Sequence, residues 1–289
     1  MPFSVQLGLL FALATAFASI LGFLYKYRGA VDAPPVQWSR PVSSSLALLR
    51  SPWYSIGMIV AMASWGLHVA ALSLAPISLV QSVIAGGLVL LTVIADRLFH
   101  LPVTRREWIG VALTAAGLAF LAATIGSTGD EAHAGHSAGT LALYVGGGAV
   151  AGTIALVVGR DGDRRGIPLA LSAGLLWGAS DVSIKALSDF TDRGIGVLWH
   201  PLALVILALS LYGLLVSARS LQVGEAVSVI AVTSAAANVV TIAAGPIVFG
   251  EPLPESTLGV VVRILAFVMV IGAVALTPPP VRAAENLPA

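Results

Sequence analysis

Residues Phe3 to Leu24 read FSVQLGLLFALATAFASILGFL, without a single charged side chain. A helix needs roughly 20 consecutive apolar residues to cross the hydrocarbon core of a bilayer, and this stretch is long enough. Eight further stretches qualify, near Trp53–Leu74, Pro76–Ala95, Trp108–Ile125, Leu141–Gly159, Pro168–Leu187, Val197–Ser217, Ala226–Phe249 and Leu258–Leu276. Turn residues punctuate them: Pro76, Gly162 and Gly166 ahead of Pro168, and Pro252 with Pro254. The spacing therefore predicts an all-α polytopic membrane protein of about nine transmembrane helices.

Composition agrees. Apolar residues make up 57% of the 289 positions and charged residues 10%, against about 25% charged in a soluble domain. The net charge of +1 gives no reason to expect a nucleic-acid partner. With no cysteine, thiolate metal sites, disulfides and cysteine catalysis are excluded. Met1 to Leu10 holds no Lys or Arg, so a cleaved signal peptide is not expected.

Loop charge orients the chain. With loops numbered alternately on two sides, one side collects Lys26, Arg28, Arg40, Arg50, Arg97, Arg105, Arg106, Arg160, Arg164, Arg165, Arg219 and Arg282, and the other only Arg193. Basic loops stay cytoplasmic. The expectation is an integral plasma (cytoplasmic) membrane protein with its N-terminus outside and its C-terminus inside. Asp130, Glu131, Asp189, Asp192, Glu251 and Glu255 then fall on the outer side.

The halves echo each other. Ala71-Leu72-Ser73-Leu74 before the third span is matched by Ala218-Arg219-Ser220-Leu221 before the eighth. Val80-Gln81-Ser82-Val83-Ile84-Ala85 is matched by Val227-Ser228-Val229-Ile230-Ala231, and Phe99-His100-Leu101-Pro102 by Phe249-Gly250-Glu251-Pro252. The first span ends in Leu24-Tyr25-Lys26 and the sixth in Ser183-Ile184-Lys185. A repeat of five spans is odd, so the second copy enters from the opposite side. The organisation expected is an inverted five-plus-four repeat: residues 1–160 with a long basic cytoplasmic loop at 25–52, residues 161–276, and a polar, Pro-rich cytoplasmic tail at 277–289. Inverted repeats around a midplane site are typical of secondary transporters.

These residues carry a family likeness. The chain resembles the drug/metabolite transporter (DMT, EamA-like) superfamily, with its duplicated five-helix unit. Within it, the chain is similar to the NIPA-like magnesium transporters through Leu24-Tyr25-Lys26-Tyr27-Arg28-Gly29, Trp53, Gly57, Ala71 to Val80 and Ala218 to Val227. The resemblance runs from Val5 to about Leu276 and implies transport of a small solute or cation, Mg2+ among them. This chain departs from the family pattern in having only Lys26 where consecutive lysines often close the first span.

Ionisable groups inside spans cost roughly 2.5–3.5 kcal/mol on insertion scales, so each calls for a partner or a role. Asp181 is the clearest, with Lys185 one turn away at the spacing that lets opposite charges meet. It reads either as a cation or proton site countered by Lys185, or as half of a structural ion pair. Arg263 shares its depth, roughly 9 Å below the outer end at 1.5 Å per residue, and is an alternative partner. His68 could relay protons, since histidine changes charge near neutral pH, or simply bond a neighbouring backbone group. Gln81 lies at similar depth, so His68, Gln81, Asp181 and Arg263 are candidates for one cavity. Ser180 and Glu225 are minor pathway candidates. Asn238 shares a face with Ser234 and Thr241, which suits either a pathway lining or interhelical hydrogen bonds.

Other motifs carry less. Gly146-Gly147-Gly148 with Gly152 reads as close helix packing. Asp130 to His136 could bind a divalent ion or stand solvated. Asp161-Gly162-Asp163 lacks the remaining ligands of a calcium loop, and the glycines lack phosphate-loop spacing. No cofactor is implied, no metal ligand set is readable, and no nucleophile–base or paired-carboxylate pattern suggests an enzyme. The reading is a secondary transporter working by alternating access. The competing reading is a non-transporting membrane scaffold, lipid-handling accessory or sensor. Oligomeric state and transport direction are not legible.

Overall fold

The computed structural model of the chain describes residues 3–86, 94–95, 97–99, 105, 108–110, 112–113, 116–117, 136–161, 166–251 and 256–275. Its principal helices are α1 (Phe3–Val31), α2 (Pro41–Leu49), α3 (Pro52–Leu74), α4 (Ile77–Gly86), α5 (Ala138–Asp161), α6 (Gly166–Ser188), α7 (Pro201–Val223), α8 (Ala226–Val248) and α9 (Thr257–Ala275). A 3-10 segment, Thr191–Trp199, leads into α7. Among the described residues there is helix and no strand.

Six helices are long and apolar enough to cross a membrane: α1, α3, residues 138–159 of α5, α6, α7 and α8. Of the third span read from the sequence, α4 covers the first half and residues 87–93 lie outside the described residues; the fourth span falls largely outside them. The ninth corresponds to α9, of which Thr257–Ala266 is a shorter apolar stretch.

Helix starts obey local chemistry. Pro41, Pro52 and Pro201 occupy the first turn of α2, α3 and α7, where a missing N–H costs nothing and a fixed φ favours the helix. The His200 ring Nδ1 accepts from Leu202 N at 3.3 Å and caps α7. The seventh span therefore begins at Pro201 rather than Val197 and runs on to Val223. The basic stretch 25–52 also differs from the expected loop. α1 continues through Lys26 and Arg28 to Val31, and α2 takes up Pro41–Leu49 of the remainder. Gly250, at φ 65°, lets Glu251 N donate to Gly245 O at 3.0 Å and terminates α8, the left-handed end glycine tolerates best.

The bundle is centred on α6 and α8. Of their most apolar windows 67% is buried, against 28–39% for the other four. α6 packs against α5, α7 and α8, while α1 pairs most extensively with α3. Small residues permit these approaches, as expected where lipid provides no hydrophobic drive between helices. A Cβ on Gly174 would collide with Thr233 O and, at 2.6 Å, with Ala236 Cβ on α8. On Gly57 it would lie 2.6 Å from Lys26 N of α1. The glycine run of α5 divides: Gly148 and Gly152 face Ala179 and Leu176 of α6, whereas Gly146 and Gly147 meet open space.

Candidate functional site

Three polar side chains from three helices converge near one end of the bundle. His68 lies two turns before the end of α3, Gln81 one turn into α4, and Asp181 two turns before the end of α6. The short Ala75-Pro76 link reverses the chain, with Ala75 extended, so that Gln81 comes back beside His68. His68 Nε2 lies 3.5 Å from Asp181 Oδ1. Gln81 Nε2 lies 3.3 Å from His68 Nε2, and the Gln81 side chain also hydrogen-bonds Asp181. The bond between Gln81 and His68 needs the ring nitrogen as acceptor, so the tautomer decides whether His68 Nε2 serves Gln81 or donates to Asp181. Gln81 is buried, while the His68 and Asp181 side chains keep 11% and 18% of their surface. The carboxylate is enclosed but not sealed.

This arrangement corrects the pairing suggested by spacing. Lys185 does not turn back onto Asp181. Its Nζ donates to Leu72 O at 3.0 Å and Ala75 O at 3.3 Å. The last turn of a helix leaves carbonyls without N–H partners and concentrates partial negative charge. The end of α3 offers both inside the bundle, and only 2% of Lys185 is exposed. The charges of Glu251 and Asp189 also act on it. The i,i+4 rule assumes an isolated helix surface, and here a neighbouring helix end competes and wins.

The other predicted residues disperse. Ser180 Oγ bonds Ser210 Oγ at 2.9 Å, between α6 and α7. Asn238 is buried on α8, where its backbone carbonyl accepts from Thr241 Oγ1 at 3.2 Å. Among the described residues its side chain has no hydrogen bond to the cluster. Glu225 sits at the start of α8, at the other end of the bundle, where its charge acts on Tyr27. Arg263 lies on α9, and its side chain is outside the described residues. Of the loop Asp130 to His136, only His136 is described. Its Nδ1 approaches Asp189 Oδ2 at 3.2 Å. No group of three or more metal-ligating side chains occurs among the described residues.

Two features were missed from the sequence. Lys26 is buried with its Nζ 4.2 Å from the centre of the Phe23 ring and 5.5 Å from that of Trp177, a cation–π arrangement. Its repeat position, equivalent to Lys185, was a signal that it too is inward-facing. Gln222 donates to Ala30 O and Pro34 O at 3.3 and 3.0 Å and accepts from Val36 N at 2.9 Å. It staples the end of α1 to α7. Nothing in the sequence marked it, because its partners are 186 to 192 positions away.

No family model matches the chain, and no solved structure matches it. The chain is 27% identical over 292 aligned positions to the probable magnesium transporter NIPA9 of Arabidopsis thaliana, covering 96% of this chain and 83% of that protein.

Proposed function

We propose that this chain, a membrane-spanning relative of the NIPA-like magnesium transporters, is a secondary transporter that moves a small cation, Mg2+ foremost, by alternating access. The observation that carries the reading is the Asp181–His68–Gln81 cluster, an acid held among three helices with part of its surface still reachable. Intramembrane acids are costly and usually mark ion pathways.

The donor set suits a hydrated ion. Mg2+ sheds water reluctantly and is often held by one or two carboxylates through its remaining waters. Asp181 supplies one full charge, and Gln81 an amide oxygen for a coordinated water. An arriving cation competes with His68 for the Asp181 carboxylate. The His68 ring holds the carboxylate until a cation arrives, and cation entry displaces it. The nine-span, inverted five-plus-four organisation and the N-out, C-in orientation belong to this proposal. They rest on the loop-charge sorting and on the matched positions of the two halves.

Reconstituted protein in liposomes loaded with a Mg2+-sensitive dye tests the reading. Wild type should admit Mg2+ and Asp181→Asn should not, with both variants equally folded and incorporated. Equal flux through the two would remove Asp181 from the mechanism. The absence of flux for any small cation or solute in wild type would favour a non-transporting role.

A further inference from the structure

We propose that α2 is a membrane-surface helix that beds the connection between α1 and α3 into an anionic phospholipid leaflet. Its two faces are sharply divided. Ser44 and Leu48 turn inward, and Leu48 joins a core with Val36, Ala30, Leu24 and Tyr54. Val42, Leu46 and Leu49, at spacings of four and three, form the opposite stripe and are 72%, 56% and 46% exposed. A flexible loop could fold such residues away, but this one is held. Gln37 N donates to Ser44 Oγ at 3.0 Å, Ser55 Oγ donates to Leu49 O at 2.6 Å, and Gln222 grips Ala30, Pro34 and Val36. The stripe is therefore displayed rigidly.

Polar groups that would resist lipid are already satisfied. Ser43 Oγ donates to Arg40 O at 3.1 Å and Ser45 Oγ to Pro41 O at 3.0 Å, both within the helix start. Charge selects the leaflet. Arg40 and Arg50 flank the helix, both exposed, and no Asp or Glu occurs between Ala33 and Ala95. Beside them Arg28 lies 4.0 Å over the Trp53 ring, which stacks on Tyr25 at 5.8 Å. Aromatic and basic residues of this kind gather at the headgroup level. Because α1 and α3 both cross the bilayer, a nine-residue helix joined to α3 through Arg50-Ser51 alone, and to α1 through a stretch that Gln222 holds at Pro34 and Val36, is confined to that level. Apolar stripe, flanking arginines and fixed depth together match an interfacial helix on anionic lipid. The inference needs only that the chain spans a membrane and is independent of what it transports.

The chain has no cysteine, so Leu46→Cys or Val42→Cys creates a single thiol in the full-length protein. A spin label at each would be read in nanodiscs of phosphatidylcholine with or without phosphatidylglycerol. Collisions with oxygen should exceed those with a water-soluble nickel chelate at both sites when phosphatidylglycerol is present. The paired variant Arg40→Gln/Arg50→Gln should lower the phosphatidylglycerol retained in native mass spectra relative to phosphatidylcholine. At about 1 kcal/mol per basic residue near an anionic surface, the expected loss is about five-fold per arginine. Ready access by the nickel chelate in both lipids would overturn the proposal by placing the stripe in water. Protection from both reagents would overturn it by showing a protein partner or second copy on the stripe. Unchanged lipid preference in the paired variant would overturn the anionic selection.

Discussion

Replacing Lys185 by methionine separates two accounts of the α6 charges. Met keeps most of the stem volume and removes the ammonium. In the structure that ammonium holds Leu72 O and Ala75 O, so the change leaves two buried carbonyls short of a donor. Hydrogen bonds to charged groups contribute about 1.5–3 kcal/mol each, a gross loss of roughly 3–6 kcal/mol. Part is returned because a buried ammonium no longer has to be dehydrated, and Asp189 and Glu251 lose a counter-charge in the other direction. A net destabilisation of about 2–4 kcal/mol follows, with the cost borne by the junction of α3 and α6. Reversible unfolding in micelles or bicelles, followed by steric trapping, measures it. The decisive measurement is a double-mutant cycle with Asp181→Asn. If Lys185 serves the end of α3 and Asp181 serves His68, the coupling should stay within about 0.5 kcal/mol. Coupling well above 1 kcal/mol, or no loss for Lys185→Met alone, would refute the assignment and restore the intrahelical ion pair.

Four further outcomes follow from the same geometry. Gly174→Val should destabilise by at least about 1–3 kcal/mol, because the new side chain enters the backbone and Ala236 of α8. Gly146→Ala, which meets open space, should be neutral or stabilising by up to about 1 kcal/mol, and unfolding of the two variants compares them directly. Gln222→Ala removes three hydrogen bonds to residues 30–36. Amide exchange at Val36 should accelerate selectively, with α3 and α6 unchanged. His68→Phe leaves Asp181 without its ionic neighbour while keeping ring volume. With the ring nitrogen gone from Asp181 Oδ1, the Mg2+ concentration giving half-maximal flux in the liposome assay should fall, and an unchanged value would remove His68 from the site.

Much of the architecture could be read locally. Hydropathy along FSVQLGLLFALATAFASILGFL or Ala226–Val248 is a sum over neighbouring residues, so spans emerge from the chain alone. The same holds for proline-led helix starts such as Pro201, although the expected start at Val197 overlooked that signal. The identity of the candidate site was partly legible as well. Asp181, His68 and Gln81 stood out because a polar group in lipid is expensive wherever it points.

The partnerships were a tertiary matter. Lys185 and Asp181 are neighbours on one helix, and spacing alone joins them. They part because α3 brings its unsatisfied carbonyls to Lys185 and its His68 to Asp181. Ser180 carries similar polarity, yet Ser210 of α7 engages it instead. Gln222 was invisible because its partners lie at and beyond the end of α1, and for Lys26 the repeat hinted at burial but not at the Trp177 ring that α6 brings to it. Burial cost is a property of one residue and its sequence neighbours, so the chain determined which segments enter the membrane and which groups need help there. Which help each group receives depends on the rotation and approach of separate helices, and only the folded bundle decides that.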